Sequence, residues 1–146
     1  MTRIEAGLAW TISNSIRLRT AYTYGLFRYV EDSSYKGNDI PGAPRHVVQL
    51  EGRYSSPVGL SITPSLEWVP QSYYVNSANT ATNEGRTVLG LRAEWTPSRS
   101  HLTMFVAGQN LTDKRYAATV QVDNDAGRYL EPADGRAIYG GIRWQP

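Results

Sequence analysis

Runs of alternating apolar and polar residues are joined by connections that are short, long, short, long, short and long in turn. The short ones are Ile12 to Ser15, Ser55 to Gly59 and Pro97 to His101; the long ones are Val30 to Pro44, Pro70 to Arg86 and Thr112 to Gly135. Between them the period-two pattern predicts seven strands: Arg3 to Thr11, Ile16 to Tyr29, Arg45 to Tyr54, Leu60 to Val69, Thr87 to Thr96, Leu102 to Leu111 and Arg136 to Trp144. An antiparallel meander of such strands carries every tight turn at one end and every long loop at the other. Outer-membrane barrels are built this way. Most of the runs are nine or ten residues long, beyond the usual soluble strand and matched to a tilted membrane crossing.

Sorting each strand by parity separates two faces. One carries Ile4, Leu8, Trp10, Ile16, Leu18, Val48, Leu50, Leu60, Ile62, Leu66, Leu89, Leu91, Ile138 and Ile142. The other carries Arg3, Glu5, Arg17, Arg19, Glu51, Arg53, Glu67, Arg92, Glu94 and Arg143. An arginine facing lipid costs roughly 2 to 4 kcal/mol at the bilayer midplane. In a membrane barrel, then, the apolar face looks outward and the charged face looks into the lumen. Leu102 to Leu111 is ambiguous, because Leu102, Met104 and Val106 alternate with Phe105 and Ala107. Aromatics argue for a membrane over a soluble sheet. The ten Tyr and four Trp far outnumber the two Phe, and rings with a polar handle favour interfaces. On the apolar parity, Trp10, Tyr54, Trp95 and Trp144 fall at the short-turn end, whereas Tyr22, Tyr24 and Trp68 fall towards the long loops.

Several classes are set aside. The net charge of +2 gives no broad cationic face for nucleic acid. With no cysteine there is no disulfide framework or thiolate metal site. No apolar run is long enough for a membrane-spanning helix, which does not bear on barrel strands. MTRIEAGLAW lacks the apolar core of a leader and reads as a strand from its third residue, so a fragment or a truncated gene is expected.

Three segments carry a family resemblance: DIPGAPRH (Asp39 to His46, with Pro41, Gly42, Pro44, Arg45 and His46), NLTDKRYA (with Asn110, Leu111, Asp113, Lys114 and Tyr116), and GRYLEPADGRAIYGGIRW (with Gly135, Arg136 and Trp144). WVPQSYYVNSANT, Trp68 to Thr80, is a looser fourth. In this order they resemble the C-terminal part of the barrel of TonB-dependent outer-membrane receptors. The resemblance implies an all-β fold, an up-and-down meander forming the last third of a barrel of about 22 strands around a plug. It implies that residues 1–146 are a partial barrel domain, with the plug and the earlier strands elsewhere. It further implies a bacterial outer-membrane location and active uptake of a scarce nutrient, most often a ferric siderophore. The implied partners are outer-membrane lipid, the plug and remaining barrel, and an inner-membrane energy-transducing protein acting through the plug. This chain ends Trp144-Gln145-Pro146, whereas such barrels usually finish on an aromatic residue. The other readings are a passive outer-membrane pore or adhesin barrel and a soluble β-sandwich binding module.

Candidate chemistry is sparse. His46 and His101 are expected at opposite ends of the wall, too far apart for a metal or a catalytic pair. VDNDAG (Val122 to Gly127) has alternating acids before a glycine but lacks the distal ligands of a calcium loop. Asn110-Leu111-Thr112 fits a glycosylation acceptor by chance. No enzyme and no cofactor are expected. In NLTDKRY, Asn110 and Asp113 are expected to bond nearby backbone groups and end the strand, Lys114 and Arg115 to lie at headgroup level, and Tyr116 to anchor at the interface. Ligand contact is expected from the loop residues Arg45, Tyr73, Tyr74, Arg128 and Tyr129, since guanidinium and phenol donors suit an anionic iron chelate.

Overall fold

The computed structural model describes residues 1–124 and 126–145. Its elements are all strands: β1 (Thr2–Thr11), β2 (Ile16–Leu26), β3 (His46–Ser55), β4 (Leu60–Val69), β5 (Tyr73–Tyr74), β6 (Thr82–Asn83), β7 (Arg86–Trp95), β8 (Leu102–Gln109), β9 (Ala117–Val120), β10 (Leu130–Pro132) and β11 (Ala137–Trp144). Seven form one antiparallel sheet in the order β1-β2-β3-β4-β7-β8-β11, the predicted meander. The other four make two small ribbons inside the second and third long loops. Pairs this short contain no readable alternation, which is why the sequence pattern passes over them.

Register fixes the two faces. Directly opposed residues share a face, and the ladder runs Trp10 to Leu18, Thr20 to Leu50, Leu50 to Leu66, Leu66 to Leu89, and Ala93 to Val106. The apolar parity is therefore continuous across all seven strands. It also resolves β8. Leu102, Met104 and Val106 oppose Trp144, Ile142 and Gly140 on the apolar face. Phe105 and Ala107 oppose Gly141 and Tyr139 on the charged face, where the Arg92 guanidinium lies 4.4 Å from the Phe105 ring. An aromatic ring on the ionic side is thus accounted for by a cation above it.

Two boundaries differ from expectation by more than one residue. The second strand stops at Leu26 rather than Tyr29 because Phe27 folds back over Gly25, where a Cβ would lie 2.6 Å from the ring. Beyond it the chain pairs within its own loop, with the Tyr29 amide donating to Asn38 and the Ile40 amide to Phe27. The strand predicted to reach Leu111 stops at Gln109, because Asn110 turns into the left-handed region at φ 47°. The tight turns use that region too: Gly59 sits at φ 83°, and a Cβ there would fall 1.9 Å from the Thr96 carbonyl oxygen. Pro64 occupies a central strand, and the β3–β4 ladder lapses where it lacks an N–H, opposite Gly52.

No second layer covers the sheet among the described residues. Ile4, Leu8, Leu91, Val106 and Ile142 all lie open on one face, Ile142 at 70% exposure. The two side chains buried below 2% are Val69 and Val75, at the long-loop end. Most of the buried side chains lie at the long-loop end, and among the described residues neither face of the sheet packs against a second sheet.

Candidate functional site

The three long loops are joined into one cap above the sheet. Ser77 is its hub. Its amide and hydroxyl donate to the two Asp123 carboxylate oxygens at 2.7 and 2.5 Å, its hydroxyl meets Tyr29 Oη at 2.8 Å, and its carbonyl accepts from Asn38 Nδ2 at 2.9 Å. One serine thus ties all three loops. Asn79, at φ 55°, reads the Asp39 backbone in both directions: Oδ1 accepts from the Asp39 amide at 2.8 Å and Nδ2 donates to its carbonyl at 2.9 Å. The Gly42 amide donates to the Tyr74 carbonyl at 2.8 Å. The serine hydrogen bonds hold the Asp123 carboxyl below the usual carboxylate range.

Beside this junction is a pocket of about 360 Å³ lined by Asp39, Ile40, Ala43, Arg45, Gln71, Ser72, Tyr73, Tyr74 and Thr82. It brings together three of the five expected ligand residues: Arg45, Tyr73 and Tyr74. They do not stand alike. Tyr73 is buried and its hydroxyl accepts from Asn83 Nδ2 at 2.8 Å, so its ring is part of the loop core. Tyr74 is half-buried and Arg45 exposed. Arg128 and Tyr129 lie outside this pocket, on the third loop, where the Tyr129 carbonyl accepts from the Gln121 amide. Asp39, Ser77, Asn79 and Asp123 organise the cap and were not singled out for that role by the sequence, because contacts between loops leave no periodic trace.

Arg45 is oriented by Asp39, at 2.6 Å, and Arg28 Nε holds the other carboxylate oxygen at 3.0 Å. Partial burial pushes the Asp39 carboxyl up, but the bonds and charges of Arg45 and Arg28 outweigh it and hold the group below its ordinary value. A carboxyl whose folded value is depressed contributes stability that is complete above its unfolded value and is lost as pH falls through the folded one. The tether should therefore be intact at neutral pH and released below about pH 4. Amide exchange of residues 27–45 in the assembled protein should accelerate between pH 6 and pH 3 beyond the intrinsic pH effect. Asp39→Asn should abolish that difference; an identical pH response in the variant would refute the role of this carboxyl.

The motif residues serve architecture. In NLTDKRY, Asn110 Nδ2 donates to the carbonyls of Lys114 at 2.9 Å and Asp134 at 3.2 Å, while its Oδ1 accepts from the Lys114 amide at 2.9 Å. Asp113, at φ 52°, accepts from the Arg136 amide at 2.9 Å, and Gly135 leaves room for that carboxylate. Leu111 packs on Gly108. The two ends of the third loop are thereby pinned together. Lys114 and Arg115 line a groove with Trp68 and Thr87 at the rim. Tyr116 departs from expectation. It lines the hollow on the charged face, 5.2 Å from the Arg86 guanidinium, and not the lipid girdle. Two left-handed residues, Asn110 and Asp113, break the strand parity before Tyr116 is reached. In DIPGAPRH, Pro41 is buried, Gly42 sits at φ 78°, Pro44 precedes the strand, and His46 Nδ1 meets Tyr22 Oη at 2.8 Å. His101, at the far end, meets the Gln145 carbonyl at 2.9 Å. Among the described residues no three His, Asp or Glu side chains gather as a metal site; Asp125 of VDNDAG lies outside them.

Beneath the cap, the charged face forms a hollow of about 640 Å³ lined by Arg19, Gln49, Glu51, Glu67 and Gln109, with Tyr116 and Asp134 from the third loop. The model of the TonB-dependent receptor-like β-barrel family matches residues 4–111. The chain belongs to this family. Its match ends at Leu111, so the last loop and β11 are covered by likeness of structure. The siderophore receptor PiuA of Acinetobacter baumannii aligns with 97% of the chain and 21% of its own length, at TM-score 0.81 and 21% identity. BauA, the ferric preacinetobactin receptor of the same organism, aligns with 96% of the chain and 21% of its own, at TM-score 0.78 and 22% identity. The ferric yersiniabactin uptake receptor FyuA of Yersinia pestis aligns with 94% of the chain and 22% of its own, at 0.76 and 18%. At such identities the likeness is one of fold. The chain spans about a fifth of these receptors' length. No curated protein sequence matches it.

Proposed function

We propose that this chain is the wall and outer-loop segment, the last third of the barrel domain, of an active-transport receptor in the bacterial outer membrane whose cargo is a ferric siderophore. The observation that carries the reading is the fused loop cap, with a pocket presenting Arg45 and Tyr74, over a hollow lined by the charged face. A guanidinium and a phenol hydroxyl suit an anionic chelate. Arg45 and Tyr74 are the first ligand contacts, Tyr73 supports them from beneath, and Arg128 and Tyr129 reach cargo from the third loop. The unpaired edges of β1 and β11 require further strands, since hydrocarbon does not tolerate open sheet edges. A plug and an inner-membrane energy-transducing partner complete the receptor. The neighbouring receptors whose printed names specify ferric chelates support the choice of cargo.

The test is uptake of radio-iron from a panel of ferric siderophores by cells whose sole receptor is the full-length protein. One chelate should be taken up, and only with an energised inner membrane. Arg45→Ala should weaken its binding about ten- to a hundredfold, the worth of one charge-assisted hydrogen bond. Passage of solutes without energy, with no chelate preferred, would favour the passive pore.

A further inference from the structure

The Asp123 carboxylate is held differently from the ions of the wall. One of its oxygens accepts from the Ser77 amide at 2.7 Å and the other from the Ser77 hydroxyl at 2.5 Å. With the serine proton directed at Asp123, Tyr29 Oη, 2.8 Å away, is the donor to that hydroxyl. Hydrogen bonds in such a chain polarise one another. These donors come from the first two loops, and Ser77 is 3% exposed. The acceptor comes from the third loop and is exposed, on a left-handed residue at φ 53°. Among the described residues no cation pairs with it. The first two loops do not depend on it, since Asn79 bonds both backbone groups of Asp39, and Asn38 bonds the Ser77 carbonyl.

We propose that the Ser77 cradle is a subsite for a carboxylate of the cargo, and that Asp123 is a resident carboxylate which the cargo displaces. The cradle holds two donors on a braced support, aimed at one planar group with an oxygen for each. Both donors are neutral. A singly charged carboxylate therefore suits the site better than a doubly charged sulfate or phosphate, whose charge would lie unpaired beside a buried residue. The cradle adjoins the pocket of Arg45 and Tyr74, because Asn38, bonded to Ser77, precedes Asp39, which lines that pocket. Displacement frees the tip of the third loop and little else. The Asp123 amide reaches the Val75 carbonyl only at 3.4 Å, and the neck stays pinned by Asn110 and Asp113. The subsite rests on the reading of this chain as part of a ferric-chelate receptor. It adds that the cargo carries a free carboxylate and that the third loop moves when that group arrives.

The probe is acetate, and the protein is the full-length receptor with a nitroxide at Ala126, an exposed residue of the third loop. Acetate should mobilise the label; sodium chloride and sodium sulfate at equal ionic strength should not. Acetate binding is read separately, by saturation transfer to its methyl protons. A latch closed roughly nine times in ten lowers apparent affinity about tenfold. Asp123→Ala should therefore mobilise the label without acetate and tighten acetate binding by about that factor. Asp123→Asn, which keeps an acceptor but no charge, should fall between. Ser77→Ala should cancel the gain in the Asp123→Ala background, and Tyr29→Phe should reduce it if the serine variant does not fold. A bond that served only to hold the loop would leave acetate affinity unchanged or lower in Asp123→Ala, and that result would overturn the proposal. So would a label unmoved by acetate in the parent, or one moved equally by sulfate. Radio-iron uptake tests the receptor reading apart from this. A chelate taken up with no acetate response removes the subsite and leaves the receptor; an acetate response in a protein that takes up no chelate keeps the carboxylate site and removes the transport reading.

Discussion

Leu91→Arg in the full-length receptor is expected to prevent or severely impair barrel assembly, while Ser65→Arg is expected to be nearly silent. The two positions lie on strands paired to each other and differ in which face they occupy. Leu91 stands mid-strand, level with Pro64 on β4 and Gly108 on β8, on the apolar face. Ser65 stands level with Glu51 on β3 and Gly90 on β7, on the charged one, so an arginine there meets a carboxylate and no like charge. A guanidinium at the bilayer midplane costs roughly 2 to 4 kcal/mol, a large part of the ~5 to 15 kcal/mol that holds a typical domain folded. The same group in a wet or protein-filled interior costs little. Heat-resistant migration on a gel, or urea unfolding in micelles, separates the outcomes. A tolerated Leu91→Arg alongside a disruptive Ser65→Arg would invert the wall and end the membrane reading. Nitroxides at Leu50 and Glu51, adjacent residues with opposite faces, test the orientation without a charge: the first should be shielded by hydrocarbon and the second reached by water-soluble quenchers.

The division of the sheet into two faces was legible in the sequence because a strand repeats every two residues and charged and apolar side chains keep to opposite parities. Trp10, Tyr54, Trp95 and Trp144 could be assigned to one rim by counting alone, and the register brings them level with Leu18, Ile16, Leu60 and Leu102. The β8 strand could not be assigned alone, since Phe105 and Ala107 look as apolar as Met104 and Val106. Its face was decided by pairing with β7 and β11, which is information held in other strands. The loops were least legible. Ser77 and Asp123, or Asn79 and Asp39, are linked across more than forty intervening residues or close to it, through hydrogen bonds that any polar loop could make in principle. Tyr116 failed for a related reason. Parity is reliable only while the backbone stays extended, and two left-handed residues intervene.

The distribution of packing has a mechanical consequence. With its apolar face bare, the sheet is ordered by its ladder and by whatever surrounds it, while the cap carries the buried side chains, Val69, Val75, Asn76 and Ser77 among them. The loops are therefore cross-braced, and the pocket lined by Arg45 and Tyr74 is built on that bracing. Binding at such a site loses less to the ordering of loops than binding at a floppy one.

Asn110→Ala should open the third loop without melting the wall. Asn110 is 3% exposed and makes three hydrogen bonds that join residues at the start and end of that loop. Alanine removes all three. Each buried backbone group stranded without a partner costs roughly 1 to 3 kcal/mol, and alanine at φ 47° adds about 1 to 2 kcal/mol of left-handed strain. The wall has other support, since β8 and β11 are paired continuously from Leu102–Trp144 to Gln109–Ala137. The damage should stay above it. Asp113, through the Arg136 amide, and the Ala133 amide donating to the Tyr116 carbonyl at 2.9 Å would then hold the neck, with the β9–β10 ribbon beyond them. In intact cells, external protease should cut within residues 112–135 of the variant and spare the parent, while the barrel melts at an unchanged temperature. Asn110→Gly relieves the strain but not the lost bonds, so it should fall between the two. Cleavage equal to the parent's in the alanine variant would mean that the neck is held elsewhere; a melted barrel would mean that the loop and the wall are a single cooperative unit.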